Sequence, residues 1–103
     1  MITDYYSGFC TLRKKRTVGS ISPNTAFGKV ITSFCQYESG EGGGDHISLC
    51  FQENLSYSKL RVSVSGYTTI FNKNTSGSGN CYIDYNNHLP SSGSVKVIIE
   101  PIK

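Results

Sequence analysis

The clearest pattern in the chain lies at residues 58–72, SKLRVSVSGYTTIFN. Leu60, Val62 and Val64 alternate with Arg61, Ser63 and Ser65. A period of two sets the aliphatic side chains on one face of an extended strand and the polar ones on the other. β-Branched residues suit such a half-buried, pleated surface. Gly66 interrupts the run, and Tyr67, Thr68, Thr69, Ile70 and Phe71 resume it. An isolated glycine in a strand pattern marks a bulge, a bend or a tight connection. The stretch therefore reads either as two strands joined at Gly66 or as one strand kinked there.

The same signature recurs along the chain. Residues 5–12, YYSGFCTL, form a first strand, and residues 17–21 a short second one. Ser22, Pro23 and Asn24 are turn residues. Residues 25–37 make one long β run containing Val30, Ile31 and Phe34. Residues 38–45, ESGEGGGD, read as a flexible connection. In residues 46–52, Ile47, Leu49 and Phe51 alternate with Ser48 and Cys50. Residues 73–80 are a polar loop, and residues 80–85 a strand with Cys81, Ile83 and Tyr85 on one face. After a loop at residues 86–93, Val95, Val97 and Ile99 alternate with Lys96, Ile98 and Glu100 in a terminal strand, where Pro101 suits an end or an edge. Seven or eight short strands separated by Gly, Ser, Asn and Pro turns predict an all-β fold, a small antiparallel β-sandwich forming a single domain over residues 1–103.

Composition agrees. The chain has 103 residues, enough for one modest core, with 11 Gly, 7 Tyr, 5 Phe and no Trp. Glu and Lys are too sparse for an amphipathic helical bundle. No apolar run reaches the ~18–20 residues of a membrane helix. No signal peptide is visible, so a secreted protein would carry Met1 as an added or processing residue, or would be an excised domain. The net charge of +3 is mildly basic and does not by itself separate nucleic acid from acidic glycan.

The four cysteines, Cys10, Cys35, Cys50 and Cys81, are widely spaced and contain no CxxC or CxxH pair, which argues against structural zinc. An even number in a small β domain predicts two disulfides and an oxidising compartment. Antiparallel pairing across the glycine-rich loop with Cys35 opposite Cys50 puts Phe34 opposite Phe51 and both rings on one face. That register favours Cys35–Cys50, a bridge stabilising by ~3 kcal/mol. Cys10–Cys81 follows by remainder and ties the first strand to a late one.

Candidate chemistry lies in the loops. Asp84, Tyr85, Asn86, Asn87 and His88 bring a carboxylate, a phenol, two amides and an imidazole to a strand end. Carboxylate and amide groups suit sugar hydroxyls, and aromatic faces stack on the C–H surface of a sugar ring. Tyr82 and Tyr85 are the stacking candidates, and Asp45 in the glycine-rich loop can join the site. The same oxygens are calcium ligands in type, with Glu38 and Glu41 as helpers, but only one carboxylate is local, and no cofactor is expected. Arg13, Lys14, Lys15 and Arg16 form a basic run suited to an anionic surface. Aromatics do not interleave with it, which argues against nucleic acid. Asn54-Leu55-Ser56 and Asn74-Thr75-Ser76 are glycosylation sequons. The glycine-rich loop lacks the Lys-Ser or Lys-Thr of a phosphate loop, and no GxSxG or HExxH motif is present, so no enzyme is predicted.

The expected function is a secreted or cell-surface binding module, foremost a carbohydrate-binding adhesin or lectin-like domain with a glycan or host receptor as partner. The alternative is a small secreted effector or toxin that contacts a host protein or an anionic membrane surface through Arg13, Lys14, Lys15 and Arg16. A homo-oligomer is possible. In a third reading, a structural subunit, the Val95 to Ile99 run would accept a strand from a neighbour by β-augmentation.

Overall fold

The computed structural model describes residues 5–11, 21–37, 46–74, 79–85 and 94–102, and the structural statements below concern these. They form nine strands and no helix: β1 (Tyr6–Cys10), β2 (Ile21–Ser22), β3 (Thr25–Ala26), β4 (Lys29–Tyr37), β5 (His46–Phe51), β6 (Lys59–Val64), β7 (Tyr67–Lys73), β8 (Cys81–Tyr85) and β9 (Val95–Ile102). They build one sheet in the order β2-β1-β9-β6-β7-β8-β5-β4-β3. Every neighbouring pair is antiparallel.

The two outermost strands are consecutive in the chain. β2 pairs with β1, and β3 pairs with β4, with only Pro23 and Asn24 between them. Ile31 N–H donates to the Asn24 carbonyl at 2.7 Å, and the Tyr6 hydroxyl donates to the Pro23 carbonyl. One short stretch of chain thus bonds first to one side of the sheet and then to the other. The sheet is curled until its edges nearly meet, a nearly closed, barrel-like wall. The all-β antiparallel expectation holds, with nine strands in one hydrogen-bonded sheet.

The core lies inside this wall and follows the alternation read from the sequence. Leu60, Val62 and Val64 of β6 are buried beside Val97 and Ile99 of β9. Phe71, Tyr82, Leu49 and Phe34 continue the layer through β7, β8, β5 and β4. Phe34 meets Phe71 edge to face at 6.4 Å between ring centroids, and Phe51 meets Tyr82 at 6.0 Å. Each such side chain, fully buried, contributes roughly 1.5–3 kcal/mol relative to exposure.

The β6–β7 connection settles the reading of Gly66. Val64 pairs with Tyr67. Ser65 and Gly66 between them have φ of 52° and 83°. Positive φ at both central residues is the type I′ hairpin turn, whose twist matches that of the strands it joins. The run at residues 25–37 is likewise two strands. Phe27 and Gly28, φ 56° and 77°, turn the chain between β3 and β4. Phe27 tolerates a backbone conformation unfavourable to bulky residues while its ring packs against Tyr57 at 5.8 Å.

The disulfide expectation is corrected. The bridge is Cys50–Cys81, which excludes both Cys35–Cys50 and Cys10–Cys81. Cys10 is a free, buried thiol. The cause is register. Phe34 pairs with Leu49 and Cys35 with Ser48, two residues away from the expected alignment. A slip of two keeps every side chain on its face, so hydrophobicity does not detect it. A bulge between Ile31 and Ser33 fixes the offset. Cys50 instead lies directly opposite Cys81 on β8. Phe51 N–H donates to the Asn80 carbonyl at 3.0 Å, so the Cys50/Cys81 pair falls at a non-hydrogen-bonded position. Opposite backbones approach most closely at such positions, and here the Cα atoms are 4.1 Å apart.

The β-augmentation expectation is also corrected. β9 is bonded along one side to β1 and along the other to β6, so it has no free edge to offer.

Candidate binding rim

Register fixes which strand ends lie together. Cys10 is paired with both Ile21 and Val95, Tyr37 with His46, and His46 with Tyr85. Val64 is paired with both Tyr67 and Val97. The end of β1, the starts of β2 and β9, the end of β4, the start of β5, the end of β8 and the β6–β7 turn therefore share one rim of the wall. The described segments end or resume at this rim at Thr11, Ile21, Tyr37, His46, Tyr85 and Ser94. Arg13, Lys14, Lys15, Arg16, Asp45, Asn86, Asn87 and His88, with the calcium helpers Glu38 and Glu41, lie outside the described residues.

The opposite rim is filled. Leu55 is buried there, and Lys73 Nζ donates to its carbonyl. The Tyr82 hydroxyl donates to the Tyr57 carbonyl, and Asn80 Nδ2 donates to the Phe51 carbonyl. The segment 52–58 thus covers that end, its Leu55 and Tyr57 backbone oxygens held by side chains of β7 and β8.

At the first rim the interior side of the wall turns polar. Thr69 and Tyr67 continue the alternation that buries Phe71. Asp84 continues the one that buries Tyr82. Thr69 Oγ1 donates to Asp84 Oδ2 at 2.7 Å, and both residues are half-buried. Across the register, buried Val62 lies opposite Thr69, and buried Val64 lies opposite both Tyr67 and Val97. Tyr67, two residues and ~7 Å along β7 from Thr69, is 51 % exposed. The rim thus offers a carboxylate held by a hydroxyl, an aromatic face open to solvent, and buried valines on the facing strands. Carboxylate oxygens accept from ligand hydroxyls, and a ring face covers apolar C–H surface.

The sequence-derived site divides accordingly. Asp84 stands at the rim. The backbone of Tyr85 pairs with His46 at the same rim, and its side chain lies outside the described atoms. Tyr82 does not belong with them. It is fully buried against Phe51, and burial pushes its hydroxyl up to about 12, with the Tyr57 hydroxyl adding to the rise. Its ring presents no face to a ligand. Tyr67 and Thr69 are the rim residues that sequence reasoning missed. Their position just after Gly66, once Gly66 is read as a turn, is the signal that places them at an end of the sheet.

Cys10 also ends at this rim but faces the core, 2 % exposed. Burial pushes its thiol up to about 11, so it is protonated at neutral pH and is no nucleophile. Among the described residues, no three His, Cys, Asp or Glu side chains gather as a metal-binding group. No helix of the structure is long and apolar enough to cross a membrane. No protein-family model, curated protein or solved structure matches the chain.

Proposed function

We propose that this chain is a binding module, not an enzyme, and that it takes a carbohydrate at the rim containing Asp84, Thr69 and Tyr67. The observation that carries the reading is the Thr69–Asp84 pair on inward-facing positions at this rim, beside an exposed tyrosine. Asp84 accepts hydroxyl hydrogen bonds from the sugar, and Tyr67 supplies the stacking face. The Cys50–Cys81 bridge supports a secreted or surface location, because such bonds persist in oxidising compartments. A two-layer, sandwich-like description of the curled sheet is supported by Phe34 of β4 meeting Phe71 of β7 across the core and by a shape of 43 × 30 × 21 Å.

The test is a glycan array probed with the oxidised protein and with the Tyr67→Ala and Asp84→Asn variants. Tyr67 is half exposed, so its truncation leaves the fold intact. The reading predicts a glycan signal that each variant weakens at least about tenfold, the scale of one lost charge-assisted hydrogen bond or ring contact. A signal indifferent to both variants, or no signal from a folded protein, refutes it.

A further inference from the structure

The wall formed by β1, β9, β6 and β7 has an outer face that the carbohydrate reading does not use. Outward positions there are Tyr5, Ser7 and Phe9; Lys96, Ile98, Glu100 and Ile102; Lys59, Arg61 and Ser63; and Thr68, Ile70 and Asn72. An antiparallel sheet with one wet face normally sets polar residues outside. This one exposes Phe9 at 55 %, Tyr5 at 48 % and Ile70 at 37 %, with Ile98 between Ser7 and Ser63 in the register.

Charge on this face is one-sided. It carries Lys59, Arg61 and Lys96 against Glu100 alone. Elsewhere, described cations are occupied: Lys29 pairs with Glu53 at 2.9 Å, and Lys73 donates to the Leu55 carbonyl. Among the described residues, Lys59, Arg61 and Lys96 have no side-chain partner, although Arg61 and Glu100 are opposite in register. Phe9 is paired directly with Lys96, and Ile70 with Arg61. Phe9 and Ile70 thus each have a cation without a side-chain partner beside them. Exposed aromatic and aliphatic groups interleaved with Lys and Arg match an anionic lipid–water boundary, where the rings enter the headgroup layer and the cations meet lipid phosphate and carboxylate. A second copy of the same face would set like charges together.

We propose that this outer face docks on an anionic lipid bilayer, with Phe9 and Ile70 as the inserting side chains and Lys59, Arg61 and Lys96 as the headgroup contacts. The sequence attached anionic-surface binding to Arg13, Lys14, Lys15 and Arg16. The inference moves it to a face built on the rigid wall, and it stands or falls independently of the carbohydrate reading.

The test is flotation of the full chain with vesicles of phosphatidylcholine alone and of phosphatidylcholine mixed with phosphatidylserine. Binding to the mixed vesicles only is expected, weakening as salt rises. Neutralising Lys59 and Lys96 together as Gln lowers binding about fivefold per charge. Phe9→Ser lowers it further at unchanged net charge, a loss that electrostatics alone does not give. All three positions are exposed or on the outer face, and circular dichroism checks that each variant keeps the parent fold. Equal binding to both vesicle types overturns the proposal. So does binding unaffected by these variants but abolished when Arg13, Lys14, Lys15 and Arg16 are neutralised. Binding to soluble polyglutamate without binding to vesicles also overturns it, in favour of an acidic protein partner.

Discussion

Replacing Gly8 with alanine tests the packing where the sheet closes. Gly8 sits in β1 opposite Val97, facing inward. A Cβ built there would stand 2.5 Å from the Ser22 carbonyl oxygen, 2.8 Å from Pro23 Cδ, and closer still to the Tyr6 hydroxyl. Ordinary carbon contacts begin near 3.5 Å. Two of the three obstacles belong to the stretch that spans the sheet edges, so they yield only if the closure opens. Overpacking of this kind costs ~1–3 kcal/mol. Displacing the Tyr6 hydroxyl from the Pro23 carbonyl adds ~1 kcal/mol. Alanine's lower unfolded-state entropy returns ~0.4–1 kcal/mol. The expected loss for Gly8→Ala is therefore ~2–3 kcal/mol, or roughly 10–20 °C in Tm for a domain of this size. Urea unfolding of Gly8→Ala, Tyr6→Phe and the double variant measures it. Tyr6→Phe removes one of the three clashing atoms, so the double variant should be less destabilised than the sum by ~0.5–1.5 kcal/mol. A Gly8→Ala loss under ~0.5 kcal/mol, or strict additivity, refutes this account of the closure.

Other outcomes follow from the same structure. A non-reducing peptide map should join the Cys50 and Cys81 peptides, and reduction should cost ~3–4 kcal/mol for a loop of this length, read as a lower urea midpoint. The Cys10 thiol should resist Ellman's reagent in the native protein at pH 8 and react on unfolding, since burial lifts it from 9.0 to about 11. Tyr6 and Tyr82 are raised from 10.0 to about 12, the former by burial and then by the nearby Cys10. The folded state thus favours all three protonated forms. Their contribution is intact below pH 9 and is lost as pH climbs towards 12, so an alkaline titration should unfold the protein there and Cys10→Ala should flatten the early part of the slope. Ser65→Asn should stabilise by ~0.5–1 kcal/mol, because asparagine accepts positive φ in a type I′ turn, whereas Gly66→Ala should destabilise by ~1–2 kcal/mol; thermal melts give both signs.

Much of the wall is legible in the sequence because one of its faces is dry. Alternation alone places Leu60, Val62 and Val64, then Val95, Val97 and Ile99, and finally Ile47, Leu49 and Phe51, on the core side. Alternation is blind to slips of two residues, so it allows Cys35 opposite Cys50 as readily as opposite Ser48, its partner in the fold. Nor does local pattern say that β8 inserts beside β5, and that neighbour relation decides the disulfide. Gly28 and Gly66 are the same signal in two places. Both mark two-residue turns, yet the β run of residues 25–37 hides the first. For the site, Asp84 is legible from its polar neighbourhood. Tyr82 misled because a tyrosine in a short strand carries no mark of which side it faces. Tyr67 and Thr69 emerge only once hairpin pairing carries them to the rim.

The nearly closed wall also constrains how the molecule is made. Tyr6 is paired with Ile99, so β1, although β2 follows it closely, meets β9 only when nearly the whole chain has been synthesised. The β6–β7 hairpin can form early from local contacts. β1 must wait, with Tyr6 and Cys10 uncovered, for the last strand to arrive. Pairing of such distant segments is intrinsically slow. Cys50 likewise lacks its partner until β8 follows 31 residues later. In that interval Cys35, on the preceding strand β4, is its nearest rival in the chain and Cys10 a more distant one. Insertion of β8 beside β5, which sets Cys81 directly opposite Cys50, is therefore the pairing on which the native bridge depends.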